Sequence, residues 1–249
     1  MSSELSRLLA DRGIALEGGA QQRLVQYMEM VVRASEVQNL TALRSPAAFL
    51  REGILDSILA WRALGRLPGR VVDVGSGGGL PAVVWCIAGY APEGVLVEAE
   101  RRKGEFLRLA AAELGLSLEV RWARAEDEAR GALRDAADLV TARAVASAPV
   151  AVEVCGGLVR TGGTLCLLKG TPQRAEAEAR MAAPVARRMG FAAVELRRYE
   201  LDGDIERTLL VYRKERPTPT DRPTTFARLR REFPSRERDA EREAVPKGE

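Results

Sequence analysis

The 249-residue sequence contains no histidine. That absence removes histidine general bases, Ser-His-Asp triads and the common zinc and iron ligand sets. Cysteine is scarce as well. Cys86, Cys155 and Cys166 are odd in number, far apart and in apolar company, the pattern of reduced core residues and not of a disulfide frame or a metal site. No apolar run reaches membrane-spanning length, and the start, Met1-Ser2-Ser3-Glu4-Leu5, lacks the basic-then-apolar order of a signal peptide. A cytoplasmic protein without a metal is expected. Charge of one sign is also missing: the net is +3, so bulk electrostatics does not point to nucleic acid. Arginine outnumbers lysine 34 to 4, which reads as codon bias more than as a phosphate-binding design. With 46% hydrophobic residues, the chain is long enough for one full-sized domain plus appendages.

What is present is concentrated in residues 71–81, Val-Val-Asp-Val-Gly-Ser-Gly-Gly-Gly-Leu-Pro. Val71, Val72 and Val74 suit a buried strand. Gly75, Gly77, Gly78 and Gly79 remove every Cβ where the chain must turn and let a ligand approach the backbone. A helix over about residues 80–88 would aim its free N–H groups and positive dipole end at that ligand. A dinucleotide fingerprint fits poorly: counted from Gly75 its last glycine falls on Leu80, and counted from Gly77 on Ala82. The stretch fits D-x-G-x-G-x-G with Asp73 leading. This resembles motif I of Rossmann-like S-adenosylmethionine (AdoMet) methyltransferases, in which a carboxylate near the loop faces the cationic methionine portion. Glu98 lies 21 residues after Gly77, at the end of the expected strand Val95-Leu96-Val97. A carboxylate there can accept both ribose hydroxyls, a role that NAD and AdoMet enzymes share.

Residues 1–65 read as a helical cap: Leu24, Met28, Val31 and Val32 recur at helical spacing, and Ser45-Pro46 looks like an N-cap with proline at N1. Phe49, Leu50, Ile54, Leu55, Ile58 and Leu59 then line one face until Gly65 and Pro68-Gly69 break it. Over residues 66–214 strands are expected at 70–75, 94–98, 118–122, 138–142, 163–168, 191–197 and 207–213. Helices are expected at 80–89, 101–115, 126–134, 147–159 and 173–189. The alternation predicts an α/β fold with a mainly parallel seven-stranded sheet and a terminal antiparallel pair. Residues 215–249 hold five of the twelve prolines, many charges and few apolar residues, and read as a disordered or loosely attached tail. An RNA-touching arm centred on residues 226–231 is the other reading of that tail.

Several motifs occur together and in order: Asn39-Leu40-Thr41, Leu55-Asp56-Ser57, the loop from Asp73 to Pro81, Phe106-Leu107-Arg108, Arg124-Ala125-Glu126, Ala142-Arg143-Ala144-Val145-Ala146, Leu168-Lys169-Gly170 and Glu206-Arg207-Thr208-Leu209. The set resembles the RsmG (GidB) family of bacterial small-subunit (16S) ribosomal RNA methyltransferases, which methylate N7 of a guanine. The resemblance covers roughly residues 24–214. The chain departs from the family's pattern at Gly53 and Thr208, where the family usually has histidine, and in its C-terminal signature. These departures fall on the presumed RNA side.

The resemblance implies a Rossmann-like AdoMet-dependent methyltransferase, monomeric, acting on ribosomal RNA or a ribosomal particle. Its cofactor residues would be Asp73, Gly75, Ser76, Gly77, Gly79, Leu80, Glu98, Ala125, Glu126 and Arg143. Arg143 and Lys169 would carry catalysis, and with Asn39 and Arg207 would touch RNA. Each has a plainer competitor. Arg143 could be a surface arginine, Lys169 a snorkelling strand-end lysine, Arg207 a salt-bridging strand residue, and Asn39 and Glu126 helix caps. The segment Thr141-Ala142-Arg143-Ala144 lacks the Asp/Asn-Pro-Pro of exocyclic-amine methyltransferases. Guanine N7 has an in-plane lone pair and no proton to remove, so positioning alone can supply much of the rate. The competing functions are a methyltransferase with a small-molecule or protein substrate, and a non-catalytic AdoMet- or RNA-binding module.

Overall fold

The computed structural model describes residues 2–65, 69–203 and 205–234. The N-terminal helices are α1 (Ser2–Ala10), α2 (Ala20–Ser35), α3 (Pro46–Ala48) and α4 (Asp56–Leu64). Leu24, Tyr27, Met28 and Val31 form the buried stripe of α2 at helical spacing. The Ser45 hydroxyl accepts the Ala48 N–H at 3.2 Å and Pro46 opens the helix, as the sequence predicts. The run that follows is not one uniform α-helix. Residues Phe49–Leu55 form a π-helical turn in which the Asp56 N–H reaches back to the Arg51 carbonyl. The cap's apolar side chains pack in one cluster with Leu96, Phe106 and Leu107 of the sheet domain. Pro68 lies outside the described residues.

Seven strands form one sheet in the order β3-β2-β1-β4-β5-β7-β6. They are β1 (Val71–Val74), β2 (Glu93–Glu98), β3 (Ser117–Trp122), β4 (Ala137–Arg143), β5 (Val159–Lys169), β6 (Glu195–Asp202) and β7 (Ile205–Arg213). The first five run parallel and β7 lies antiparallel between β5 and β6. Crossovers run through α5 (Ala82–Ile87), α6 (Arg101–Glu113), α7 (Ala125–Glu128), α8 (Ala148–Gly156) and α9 (Pro172–Arg188). All four β1 residues are buried, as a central strand covered on both faces requires. Asp73 stands beside Leu96 and Thr141, so the carboxyl ends of β1, β2 and β4 converge where strand order reverses.

Three expected boundaries move. The strand expected at 191–197 begins at Glu195, with Phe191 making only an isolated bridge to Lys214. The helix expected over 126–134 stops at Glu128 after about one turn. The helix expected over 147–159, α8, ends at Gly156, so β5 starts at Val159 and bends through Gly162.

Residues 215–234 are not a loose tail. The short helix α10 (Phe226–Glu232) buries Leu229 in the main core cluster. Main-chain carbonyls supply the anchors: Arg134 donates to those of Thr218, Pro219 and Arg222, and Arg130 to that of Pro223. Fully buried Glu153 accepts from the Thr224 N–H and hydroxyl, Arg188 and Arg222. Polar docking of this kind leaves no apolar periodicity to read. Residues 235–249 lie outside the described residues.

Candidate functional site

The loop after β1 is built by its glycines. Gly77 has φ +54° and Gly79 φ +105°, conformations that L side chains rarely adopt. A Cβ at Gly79 would stand 2.6 Å from a Val83 methyl and 2.8 Å from the Tyr27 hydroxyl. Tyr27, fully buried on α2, donates to the Gly78 carbonyl at 2.6 Å, so the cap grips the loop directly. Burial pushes the Tyr27 phenol upward, so it stays a neutral donor.

Two carboxylates sit under this loop. Glu98 Oε2 accepts the Gly77 N–H and its Oε1 the Glu100 N–H, both at 2.8 Å. It clamps the loop to the end of β2 while each oxygen keeps a further lone pair. Asp73 is 1% exposed, and neither of its carboxylate oxygens has a hydrogen-bond partner. Burial pushes its carboxyl well above the ordinary value; the adjacent Ser76 hydroxyl and Arg143 oppose the rise, and nearby Glu98 adds to it. A buried acceptor left without a donor is costly and marks a place for a ligand to complete. Ser76 points back, its hydroxyl donating to the Asp73 carbonyl at 3.1 Å.

Arg143, at the end of β4, joins a half-buried ionic network centred on buried Asp56. It donates to the Glu52 carbonyl at 2.7 Å and lies 3.3 Å from Asp56. Asp56 also accepts the Tyr199 hydroxyl at 2.7 Å and lies 3.9 Å from Arg207, which in turn sits 3.7 Å from Glu52. Burial raises the Asp56 carboxyl, and Arg143, Tyr199 and Arg207 pull it back. Arg143 Nη1 is buried and faces Asp56 as an ion pair, without a well-aligned hydrogen bond. The next residue, Ala144, has φ +56°, which turns the chain so that Val145 closes against Gly75. Arg143 and Arg207 thus meet in one network, and neither is a free surface arginine.

Lys169 is held too. Its ammonium donates to Glu178 at 2.7 Å and to the Ala146 carbonyl at 3.0 Å, and the same Glu178 oxygen accepts the Ala148 N–H. It therefore fixes the segment between β4 and α8. Asn39 accepts from Arg44 at 2.6 Å and borders a surface cavity of about 460 Å³ between residues 35–44 and the start of α6. The Leu40 carbonyl beside it stands 3.4 Å from where a Gly77 Cβ would be. Leu80 packs near Gly53. Ala125 and Glu126 are buried at the start of α7, and Glu126 accepts the Phe226 N–H at 3.0 Å.

The structure thus groups Asp73, Gly75, Gly77, Glu98 and Arg143 around one loop, while Lys169 and Asn39 stand to either side. Sequence reasoning misses Tyr27, Asp56, Tyr199 and Glu178 as site residues. Asp56 carries a signal, a carboxylate inside the otherwise apolar face formed by Ile54, Leu55 and Ile58. Glu178 and Tyr199 carry none.

The family described as GidB, rRNA small subunit methyltransferase G, matches residues 20–196. The Ribosomal RNA small subunit methyltransferase G of Symbiobacterium thermophilum is 36% identical over 220 residues, covering 85% of this chain and 89% of that one. The protein of the same name from Moorella thermoacetica is 34% identical over 223 residues, covering 86% and 91%. Among solved structures, the apo form of the S-adenosylmethionine-dependent methyltransferase SibL aligns with a TM-score of 0.53 at 16% identity, over 78% of this chain and 70% of that one, a likeness of fold. On the family match and on relatives above 30% identity along most of its length, the chain belongs to the rRNA small subunit methyltransferase G family.

Proposed function

We propose that the protein transfers a methyl group from AdoMet to N7 of a guanine in small-subunit ribosomal RNA, acting as a cytoplasmic monomer. The observation that carries this reading is the buried, unpartnered carboxylate of Asp73 beneath the glycine loop. A cationic α-amino group would satisfy it. Arg143, held by Asp56 and the Glu52 carbonyl, would offer a remaining N–H to an acceptor on the cofactor or the target base. In this reading Gly75, Ser76, Gly77, Gly79 and Leu80 wall the methionine end, Glu98 adds ribose hydroxyls to its main-chain bonds, and Ala125 and Glu126 border the adenine.

AdoMet, when bound, supplies a methyl group on a sulfonium that leaves as a neutral thioether. The guanine N7 lone pair takes that methyl and the purine gains the positive charge, so no proton has to be removed and no histidine is missed. The protein's task is orientation. Arg143 is held by Asp56 and the Glu52 carbonyl, ready to donate to guanine O6. Lys169 fixes the segment that closes over the loop, while Asn39 and Arg207 flank the approach on the cap side and the β7 side. Free, buried cysteines support a reducing compartment, and the exposed large apolar side chains, Val37, Leu109, Trp122 and Met181, come from four different segments of the chain, which supports a monomer. Among the described residues no helix is long and apolar enough to cross a membrane.

The test is transfer of radiolabelled methyl groups onto small subunits lacking the modification, followed by borohydride and aniline scission at N7-methylguanine. Label in the RNA with scission at one guanine is expected. Label on protein or on no macromolecule would overturn the reading.

A further inference from the structure

The outer edge of the sheet carries a second arrangement that the loop does not use. Glu98 of β2 is the cross-strand neighbour of Trp122, the last residue of edge strand β3. Of the three tryptophans, Trp61 and Trp85 are buried, whereas Trp122 is 54% exposed. The Arg101 guanidinium stands 5.6 Å from its ring centroid. Two residues further on, Arg124 lies 5.8 Å from the ring of Phe226, and Arg230 lies 6.0 Å from the same ring. The docked C-terminal segment therefore extends a strip of aromatic rings interleaved with guanidinium groups beside the cofactor loop.

Charge on this strip is not locally neutralised. Arg101 pairs with Glu105, but Arg124, Arg228 and Arg230 are exposed and have no acidic partner among the described residues. The Trp122 indole N–H donates to the Ala99 carbonyl at 3.1 Å, which fixes the ring in place while leaving it half exposed, and like-charged guanidiniums gathered around rings repel one another unless an anion joins them. Planar cations and aromatic faces alternating along a groove suit a single strand, whose bases stack on rings while its phosphates meet arginines.

We propose that this strip, running from Trp122 through Arg124 to the Phe226 helix, binds an unpaired segment of RNA flanking the base presented at the loop. The inference rests on the RNA substrate argued above and adds where the strand runs and what the C-terminal arm is for. The +3 net charge conceals it because acidic residues elsewhere cancel the arginines.

The experiment titrates the full-length protein with a single-stranded oligoribonucleotide, following indole fluorescence and the salt dependence of binding. Methyl transfer to small-subunit RNA is measured in parallel. Trp122 supplies the exposed indole, so binding should quench emission in the parent and not in Trp122→Ala, which should bind about fivefold to a hundredfold more weakly, the range for loss of a stacking aromatic. Arg124→Gln with Arg230→Gln should lower the slope of log K against log salt by roughly 0.7 for each phosphate that the protein no longer neutralises. Both variants touch only exposed side chains, and unchanged AdoMet affinity would show the fold and the loop to be intact. If the parent methylates RNA while both variants keep its affinity, salt slope and rate, this inference falls and the proposed function stands. If the parent binds the oligonucleotide through Trp122 but transfers no methyl group to RNA, the proposed function falls, and with it the target base at the loop, while the strip stands as an RNA-binding surface. Tighter binding of poly-glutamate than of RNA would assign the strip to an acidic protein and overturn the inference.

Discussion

Glu153→Gln should undock the C-terminal arm and show how much of the fold it secures. Glu153 is fully buried, and four hydrogen bonds converge on its two oxygens: the Thr224 N–H at 2.9 Å, the Thr224 hydroxyl at 2.8 Å, Arg188 at 3.0 Å and Arg222 at 3.1 Å. Burial alone would raise its carboxyl, but Thr224, Arg188 and Arg222 outweigh it and the net displacement is downward. Removing one partner of a buried ion pair costs about 3–5 kcal/mol, and glutamine falls at the lower end, about 3 kcal/mol, because it keeps an acceptor for Thr224 and lets the partly exposed Arg188 turn to water. For a chain of this size that is a fall in Tm of about 6–12 °C. Because the folded carboxyl lies below its unfolded value, the stabilisation is complete above the ordinary glutamate range and is lost as pH falls through the folded value. The gap between parent and variant should therefore close in acid. Urea unfolding at several pH values measures it, and trypsin cleavage after Arg228, Arg230 and Arg231 reports undocking. A variant that loses under about 1 kcal/mol and keeps these bonds protected would refute the account of how the arm is held.

Asp73→Asn keeps the shape but loses the charge that would face the methionine ammonium, so AdoMet affinity should fall by about 1.5–3 kcal/mol in calorimetry; parent-like affinity would remove Asp73 from the site. Lys169→Met frees Glu178 and the Ala146 carbonyl, and should slow methyl transfer about tenfold or more, with AdoMet affinity changed by less than about 1 kcal/mol. A parent-like rate would show that Lys169 positions nothing. Lys214 is fully buried, and burial lowers its amine from 10.5 to about 8 against an opposing pull from Asp135. Between those values the unfolded chain keeps a proton the folded chain has lost, so this group's contribution should rise with pH by roughly 3 kcal/mol. Lys214→Met should flatten that rise in urea unfolding between pH 7.5 and 10.5, and an unchanged slope would place the titration elsewhere.

Where a side chain's role is set by near neighbours in sequence, the sequence disclosed it. Three valines beside four glycines define a buried strand and a sharp turn, because burial and positive φ act on those residues directly. Glu98 was legible from its distance to Gly77 because parallel crossovers have narrow length limits, and it does meet Gly77. The same spacing did not disclose that main-chain N–H groups already occupy both of its oxygens. The π turn was hidden, since the apolar pattern from Phe49 to Leu59 accommodates an added residue in one turn without losing its face.

Partners set by tertiary approach were beyond reach for a further reason. Arg143 and Lys169 were expected as bare cations at strand ends, yet each meets a carboxylate that sequence spacing could not assign to it, Asp56 from the cap and Glu178 from α9. An unpaired cation could swing toward phosphate from many directions. One held between a carboxylate and a main-chain carbonyl offers its remaining N–H groups in a single direction, which suits a reaction that depends on aligning a lone pair with a methyl group. On this reasoning Asp56 and Glu178 belong to the chemistry of the site as much as the cations do, because they set where the positive charge points.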